Sequence, residues 1–243
     1  KTAQPVIDAL VERAKQGMWG YTARPDSYFD AIRDWQRRRN GWEIDRKLMS
    51  WSLGVVQSLS AIVKNFTPEG GTVLIQTPVY SEFYDVTEAW DRKVLENRFI
   101  EEDGVWRVDY ADLDRKLSQA DLFIFCSPHN PLGILWKPEE IERIARLCLK
   151  HHVLMVSDEI HADLVFWGGH HTVAATLGPD IAANVITCFS GTKTFNLAGL
   201  QQSGDVVSCQ LNGALFHTAL DVGSLGVELD VGFACYGAGV GNL

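Results

Sequence analysis

The chain has 243 residues, 46% hydrophobic and 22% charged, a composition that buries a sizeable core and is not that of a disordered segment. Its formal net charge of −9 and sequence pI near 5.2 argue against a surface built to neutralise nucleic-acid phosphates or an anionic membrane, since either needs clustered Lys and Arg. Five widely spaced cysteines (Cys126, Cys148, Cys188, Cys209, Cys235) form no C-x-x-C, no apolar run is long enough to span a bilayer, and "KTAQPVIDAL" carries no signal-peptide pattern, so the expectation is a cytoplasmic protein with reduced thiols and no metal site.

Taken in chain order, the basic stretch "RDWQRRRNGW" (33–42) reads as the solvated face and end of an amphipathic helix rather than a phosphate-binding patch. "LGVVQSLSAI" places Gly54, Val55 and Val56 just before a helix that continues through "SLSAIVKNFT". Apolar runs then alternate with helical periodicity. "GTVLIQTP", "DLFIFCSP", "HVLMVSDEI" and "NVITCFSG" read as strands, and "VYSEFYDVTEAW" and "PEEIERIARLCLKHH" as helices. The last opens with Pro138, Glu139 and Glu140 and closes on Lys150, His151 and His152, as the helix macrodipole prefers. Strands that are continuously apolar, separated by amphipathic segments, predict an α/β fold with a mostly parallel sheet covered on both faces.

In such sheets ligands sit outside the carboxyl ends of the strands. Asn130, Asp158 and Lys193 all fall at or just beyond predicted strand ends. Lys193, Asp158, Gly54 and Tyr80 each have an ordinary explanation: a lysine at a loop edge with its head in water, an aspartate capping a helix, a Gly-initiated helix and a core tyrosine. His151 with His152, and His170 with His171, are adjacent pairs whose side chains diverge, which suits no metal. From Gly204 onward the chain contains no Lys or Arg and is rich in Gly, Val and Leu. The expected division is therefore residues 1–203 as one domain and 204–243 as an atypical tail.

Three motifs change the weight of these explanations. "SPHNPLG" (127–133), "SDEIH" (157–161) and "SGTKTFNLAGL" (190–200) follow successive predicted strands in that order. Together they resemble the pyridoxal-phosphate-dependent class I/II aminotransferase superfamily of fold type I, and "DEIHADLVF" and "TKTFNLAGLQ" are similar to the MalY/PatB branch of carbon-sulfur β-lyases. The resemblance covers about residues 17–203. It implies the three-layer α/β/α large domain of that fold, and pyridoxal 5′-phosphate as cofactor. It implies that Lys193 bonds the cofactor covalently and moves the Cα proton, and that Asp158 stabilises a protonated ring nitrogen. Asn130 and His161 would serve the ring's phenolic oxygen, and Tyr80 would stack on the ring. Gly54, Val55, Val56 and Ser190 would hold the phosphate, the first three through a helix N-terminus. Tyr21, in "WGYTARPDSYFDAI", would reach the phosphate of a neighbouring subunit, which implies a homodimer with shared sites.

The chain also departs from that pattern. Gln201 and Gln202 stand in the region where many aminotransferases carry an arginine, which suits the lyase branch. The family's N-terminal stretch is not seen, and its C-terminal small domain, with the arginine that clamps the substrate carboxylate, has no match after Ser203. The implied activity is β-elimination on an S-substituted amino-acid substrate such as cystathionine, giving a thiol, ammonia and pyruvate. An aminotransferase sharing the first steps, or an incomplete remnant that holds the cofactor without turnover, are the alternatives.

Overall fold

The computed structural model describes residues 1–21 and 24–207. Cys209, Cys235 and the expected tail beyond Val207 lie outside the described residues. The elements in chain order are α1 (Gln4–Gln16), α2 (Asp26–Asn40), β1 (Met49–Ser52), α3 (Val55–Phe66), β2 (Thr72–Thr77), α4 (Glu82–Glu88), β3 (Lys93–Arg98), β4 (Ile100–Glu102), β5 (Val105–Arg107), α5 (Tyr110–Leu117), β6 (Leu122–Cys126), α6 (Pro138–Lys150), β7 (Leu154–Asp158), α7 (Pro179–Ala182), β8 (Val185–Phe189), α8 (Gly191–Thr194) and β9 (Ser203–Val207).

Seven strands form one sheet in the order β1-β9-β8-β7-β6-β2-β3. Strand β9 runs antiparallel to both of its neighbours, so β1 is parallel to β8, and the remaining pairs are parallel. The carboxyl ends of β1, β2, β6, β7 and β8 therefore share one rim. The short hairpin of β4 and β5 stands apart from this sheet.

Alternation along the strands divides the core between two faces. Val73, Ile75, Ile124, Val156 and Ile186 point toward α3 and α4, whereas Leu74, Phe123, Phe125, Met155 and Val185 point toward α5 and α6. Helix α3 meets its face with Val55, Leu59, Ile62 and Val63, and α6 meets the other with Ile141, Ile144, Ala145 and Cys148. Both sets follow the 3.6-residue period of an amphipathic helix. Because both faces are covered, the strands read as continuous apolar runs, as the sequence indicates. A smaller third cluster joins Phe29 of α2 to Met49, Phe189 and Val206 at the β1-β9 end. In the "RDWQRRRNGW" stretch Arg37, Arg38 and Arg39 form an exposed face at the end of α2, whereas Gln36 and Trp42 are buried, and the helix stops at Gly41 in a left-handed conformation (φ 64°).

The expected boundary at Ser203 falls inside β9. Gly204 pairs with Trp51 and Phe189, Asp205 with Ser50 and Cys188, and Val206 is fully buried. Gly204 lies so close to the Phe189 ring that a Cβ would come within 2.9 Å of it, which explains a glycine inside a strand. The shift in composition at this point therefore precedes the end of the sheet. Helix α4 is shorter than the run 79–90 suggests, and α6 ends at Lys150, with His151 as its C-cap and His152 at φ 58°.

Candidate active site at the carboxyl rim of the sheet

The sheet register sets a row of side chains across the rim. Cys126 of β6 stands opposite Asp158 of β7, Asp158 opposite Cys188 of β8, and Cys188 opposite Asp205 of β9. Asp158 is 5% exposed and accepts the Ile160 N–H at 3.1 Å. It is the last residue of β7, and a turn closed by Ala162 N–H on the Glu159 carbonyl follows, so it does not cap a helix. Burial pushes its carboxyl up to about 7; the Ile160 N–H opposes this, and the Lys193 ammonium opposes it more weakly. Such a carboxyl is poised to take a cationic partner.

Lys193 sits on α8, a single turn directly after β8, with its side chain exposed. The Ser190 hydroxyl caps that turn: it accepts the Thr192 N–H at 3.1 Å and lies 2.6 Å from the Gln202 carbonyl and 3.0 Å from the Thr192 hydroxyl. His161, in the loop after β7, is half-buried. Desolvation lowers its imidazole, and the Lys193 charge lowers it further. Asp158 and His161 both feel the Lys193 charge and thus form one electrostatic group with it.

The start of α3 joins the same rim. Gly54 is its N-cap, and Val55 and Val56 are its first two helical residues rather than residues before it. No side chain caps this helix, which leaves the positive end of its dipole available to an anion. A Cβ at Gly54 would lie 2.6 Å from the Gln57 side-chain oxygen. Ser52, at the end of β1, bonds Ser58 of α3 at 2.6 Å and Ser203 of β9 at 2.5 Å. Through Gln202 beside Ser203, this network reaches Ser190, so the helix start and the lysine turn are physically joined.

Tyr80 follows β2 on the same rim, 37% exposed, with its ring edge-on to Phe83 at 6.3 Å. Asn130 follows β6, half-buried, its backbone N–H on Cys126 Sγ at 3.3 Å. Asn130 and His161 line one cleft of about 480 Å³, together with Leu164, Phe166 and Trp167. Tyr21 is fully exposed, beyond α1.

Several residues of the site region carry no clear sequence signal. Glu159 is buried, accepting Ser157 Oγ at 2.9 Å and Ala174 N–H at 3.1 Å, with His171 Nε2 at 2.8 Å. His171 is therefore set apart from His170 as a core residue. Asp205, wholly buried, accepts Ser58 Oγ at 2.7 Å, and burial pushes its carboxyl up to about 6. Cys126, Cys148 and Cys188 are free and buried, and burial raises all three thiols. Among the described residues no cluster of three or more His, Cys, Asp or Glu is arranged to hold a metal, and no helix is long and apolar enough to cross a membrane.

With this geometry in view, comparison with known proteins is informative. The sequence model of the family "Aminotransferase class I and II" matches residues 2–211, from before the expected start at residue 17 to beyond the expected end at 203. The chain is 40% identical over 228 residues to the cystathionine beta-lyase PatB of Bacillus subtilis, covering 93% of this chain and 59% of PatB. It is 31% identical over 222 residues to protein MalY of Escherichia coli, covering 90% of this chain and 56% of MalY. Among solved structures, cystalysin from Treponema denticola, which contains a pyridoxal 5′-phosphate cofactor, superposes with a TM-score of 0.86 at 31% identity, over 90% of this chain and 56% of cystalysin. The chain thus spans less than three-fifths of the length of each of these relatives.

Proposed function

Because the chain belongs to the class I and II aminotransferase family, we propose that it holds pyridoxal phosphate at Lys193 and serves β-elimination on S-substituted cysteines of the cystathionine kind, releasing a thiol, ammonia and pyruvate. The observation that carries this reading is the pairing of a buried carboxyl, Asp158, pushed up to about 7 with only a backbone N–H as its hydrogen-bond donor, with an exposed amine on the next strand's turn. That donor set fits the cofactor. Asp158 suits a protonated ring nitrogen, Lys193 a carbonyl carbon, and the uncapped start of α3 at Gly54, Val55 and Val56, with Ser190, a phosphate.

When bound, the cofactor supplies an electron sink for the pair left as the substrate's Cα–H bond breaks. This chain's residues do the rest. Asp158, ionised beside a cation, fixes the ring nitrogen's proton. Asn130 and His161 would serve the phenolic oxygen, and Tyr80 would stack on the ring. The Lys193 Nζ would hold the cofactor and, as a free amine, would accept the substrate's Cα proton. The Cβ–S bond would then break with its electron pair going to sulfur, which takes up a proton to leave as the thiol, and water would hydrolyse the remaining enamine to pyruvate and ammonia. The apolar Leu164, Phe166 and Trp167 of the neighbouring cleft suit the methylene and thioether part of such a substrate.

We also infer a homodimer in a cytoplasmic setting. Tyr21 is fully exposed, and α1 leaves Ile7, Leu10 and Val11 uncovered at helical spacing, a stripe that suits a second copy of the chain. The three buried free thiols suit a reducing compartment. The deciding assay for activity offers cystathionine, with and without a keto acid, to the cofactor-loaded protein. Pyruvate and thiol without a keto acid support β-elimination; amino transfer that needs the keto acid would assign the aminotransferase reaction instead.

A further inference from the structure

Asp163 lies two residues past His161 and five past Asp158, and its carboxylate is 14% exposed. It takes hydrogen bonds from two directions. The Trp35 indole N–H of α2 reaches both of its oxygens at 3.0 and 3.1 Å, and the Thr194 hydroxyl donates to Oδ2 at 2.8 Å. Arg39, one turn beyond Trp35, approaches at 3.5 Å. Thr194 is the residue next to Lys193, and Phe195, next again, sets its ring edge-on to Trp35 at 5.3 Å. One carboxylate therefore joins α2, the loop that carries His161, and the turn that carries Lys193.

The consequence follows from the size of α8. A four-residue turn has too few internal hydrogen bonds to fix an exposed lysine, so its orientation depends on what holds its two ends. Ser190 holds the front end. Among the described residues, the side-chain hydrogen bond of Thr194 to Asp163 ties the back end to the strand loop bearing Asp158 and His161. We propose that Asp163 is a positioning residue, which sets the Lys193 amine relative to Asp158 and His161 by clamping Thr194 against the loop after β7. The proposal rests on the reading of Lys193 as the cofactor's lysine. It assigns no chemistry to Asp163 itself.

Four variants test it: Asp163→Ala, Asp163→Asn, Thr194→Val and Trp35→Phe. Asparagine can still accept the indole N–H and donate to the Thr194 hydroxyl, whereas alanine does neither. Thr194→Val removes one bond at nearly constant shape, and Trp35→Phe keeps the ring, so a fold lost in Asp163→Ala leaves two variants that report on the same clamp. The readouts are the rate at which added pyridoxal phosphate becomes fixed to Lys193 by borohydride, located by peptide mass, and the pH midpoint of the bound cofactor's visible absorbance. The clamp predicts a rate roughly tenfold lower and a displaced midpoint for Asp163→Ala and Thr194→Val, with the double variant no worse than either single one, because both break the same link. It predicts near-normal values for Asp163→Asn. Trp35→Phe should fall between. Normal rates and midpoints in Asp163→Ala and Thr194→Val would overturn this proposal alone. Failure of the unaltered chain to take the cofactor at Lys193 would overturn the functional reading as well.

Discussion

At the scale of single residues, the site separates into side chains that do chemistry and side chains that hold them. Lys193 is exposed and buries nothing, so Lys193→Ala should abolish turnover yet move the stability of the cofactor-free protein by no more than about 1 kcal/mol, measured by denaturant unfolding. Asp158 gives a pH signature. Its carboxyl in the fold, at about 7, lies above the ordinary value near 3.8, so the folded state holds a proton that the unfolded state has released. The stability this contributes is complete below about pH 4 and is lost as the pH rises through about 7. Relative to Asp158→Asn, the cofactor-free protein should therefore lose stability across that window. A difference between the two melting curves that is flat from pH 4 to 8 would show that the carboxyl is not held in a desolvated place. Lys193 and Asp158 were legible in the sequence because an unusual polar residue at a strand end has few ordinary explanations once three motifs fall in register. Asp163 was not, since an exposed-looking aspartate in "DEIHADLVF" carries no sign of the two distant groups it binds.

At the scale of elements, the strands β2, β6, β7 and β8 were legible as continuous apolar runs, because burial on both faces removes polar alternation. Helices α3 and α6 were legible from their 3.6-residue stripes. Strand β9 was not: its glycine and aspartate are poor strand formers, and what places them is a close approach to Phe189 and a hydrogen bond from Ser58, both set by tertiary structure. The loop from β7 to α7 shows the same limit. Its ends are tied by Glu159, which gathers Ser157, His171 and the Ala174 N–H into one buried group. Removing the imidazole leaves a carboxylate short of a partner where no water reaches, so His171→Ala should destabilise the protein by about 3 kcal/mol. His171→Gln, which can donate one bond, should recover part of that loss. Urea unfolding of the two variants compares them directly, and equal stability of His171→Ala and the unaltered chain would remove Glu159 as the anchor of this loop.

At the scale of the whole molecule, a doubly covered parallel sheet delivers residues from five strands to one rim without any of them being near in sequence. Gly54 and Lys193 are brought together by sheet order, with β1 reaching the neighbourhood of β8 only through the antiparallel β9. That arrangement was outside the reach of local pattern, and the resemblance to a known family supplied it. The proposed reading of the rim turns on one atom, the Lys193 Nζ. The most direct measurement is to mix the purified chain with pyridoxal phosphate, reduce with borohydride, digest it and map the added mass. The account predicts one modified position, Lys193, with the label retained in Asp158→Asn, whose turnover should nonetheless fall sharply because a neutral amide cannot hold the ring nitrogen's proton. Label spread over exposed lysines such as Lys47 or Lys137, with none in excess at Lys193, would contradict it.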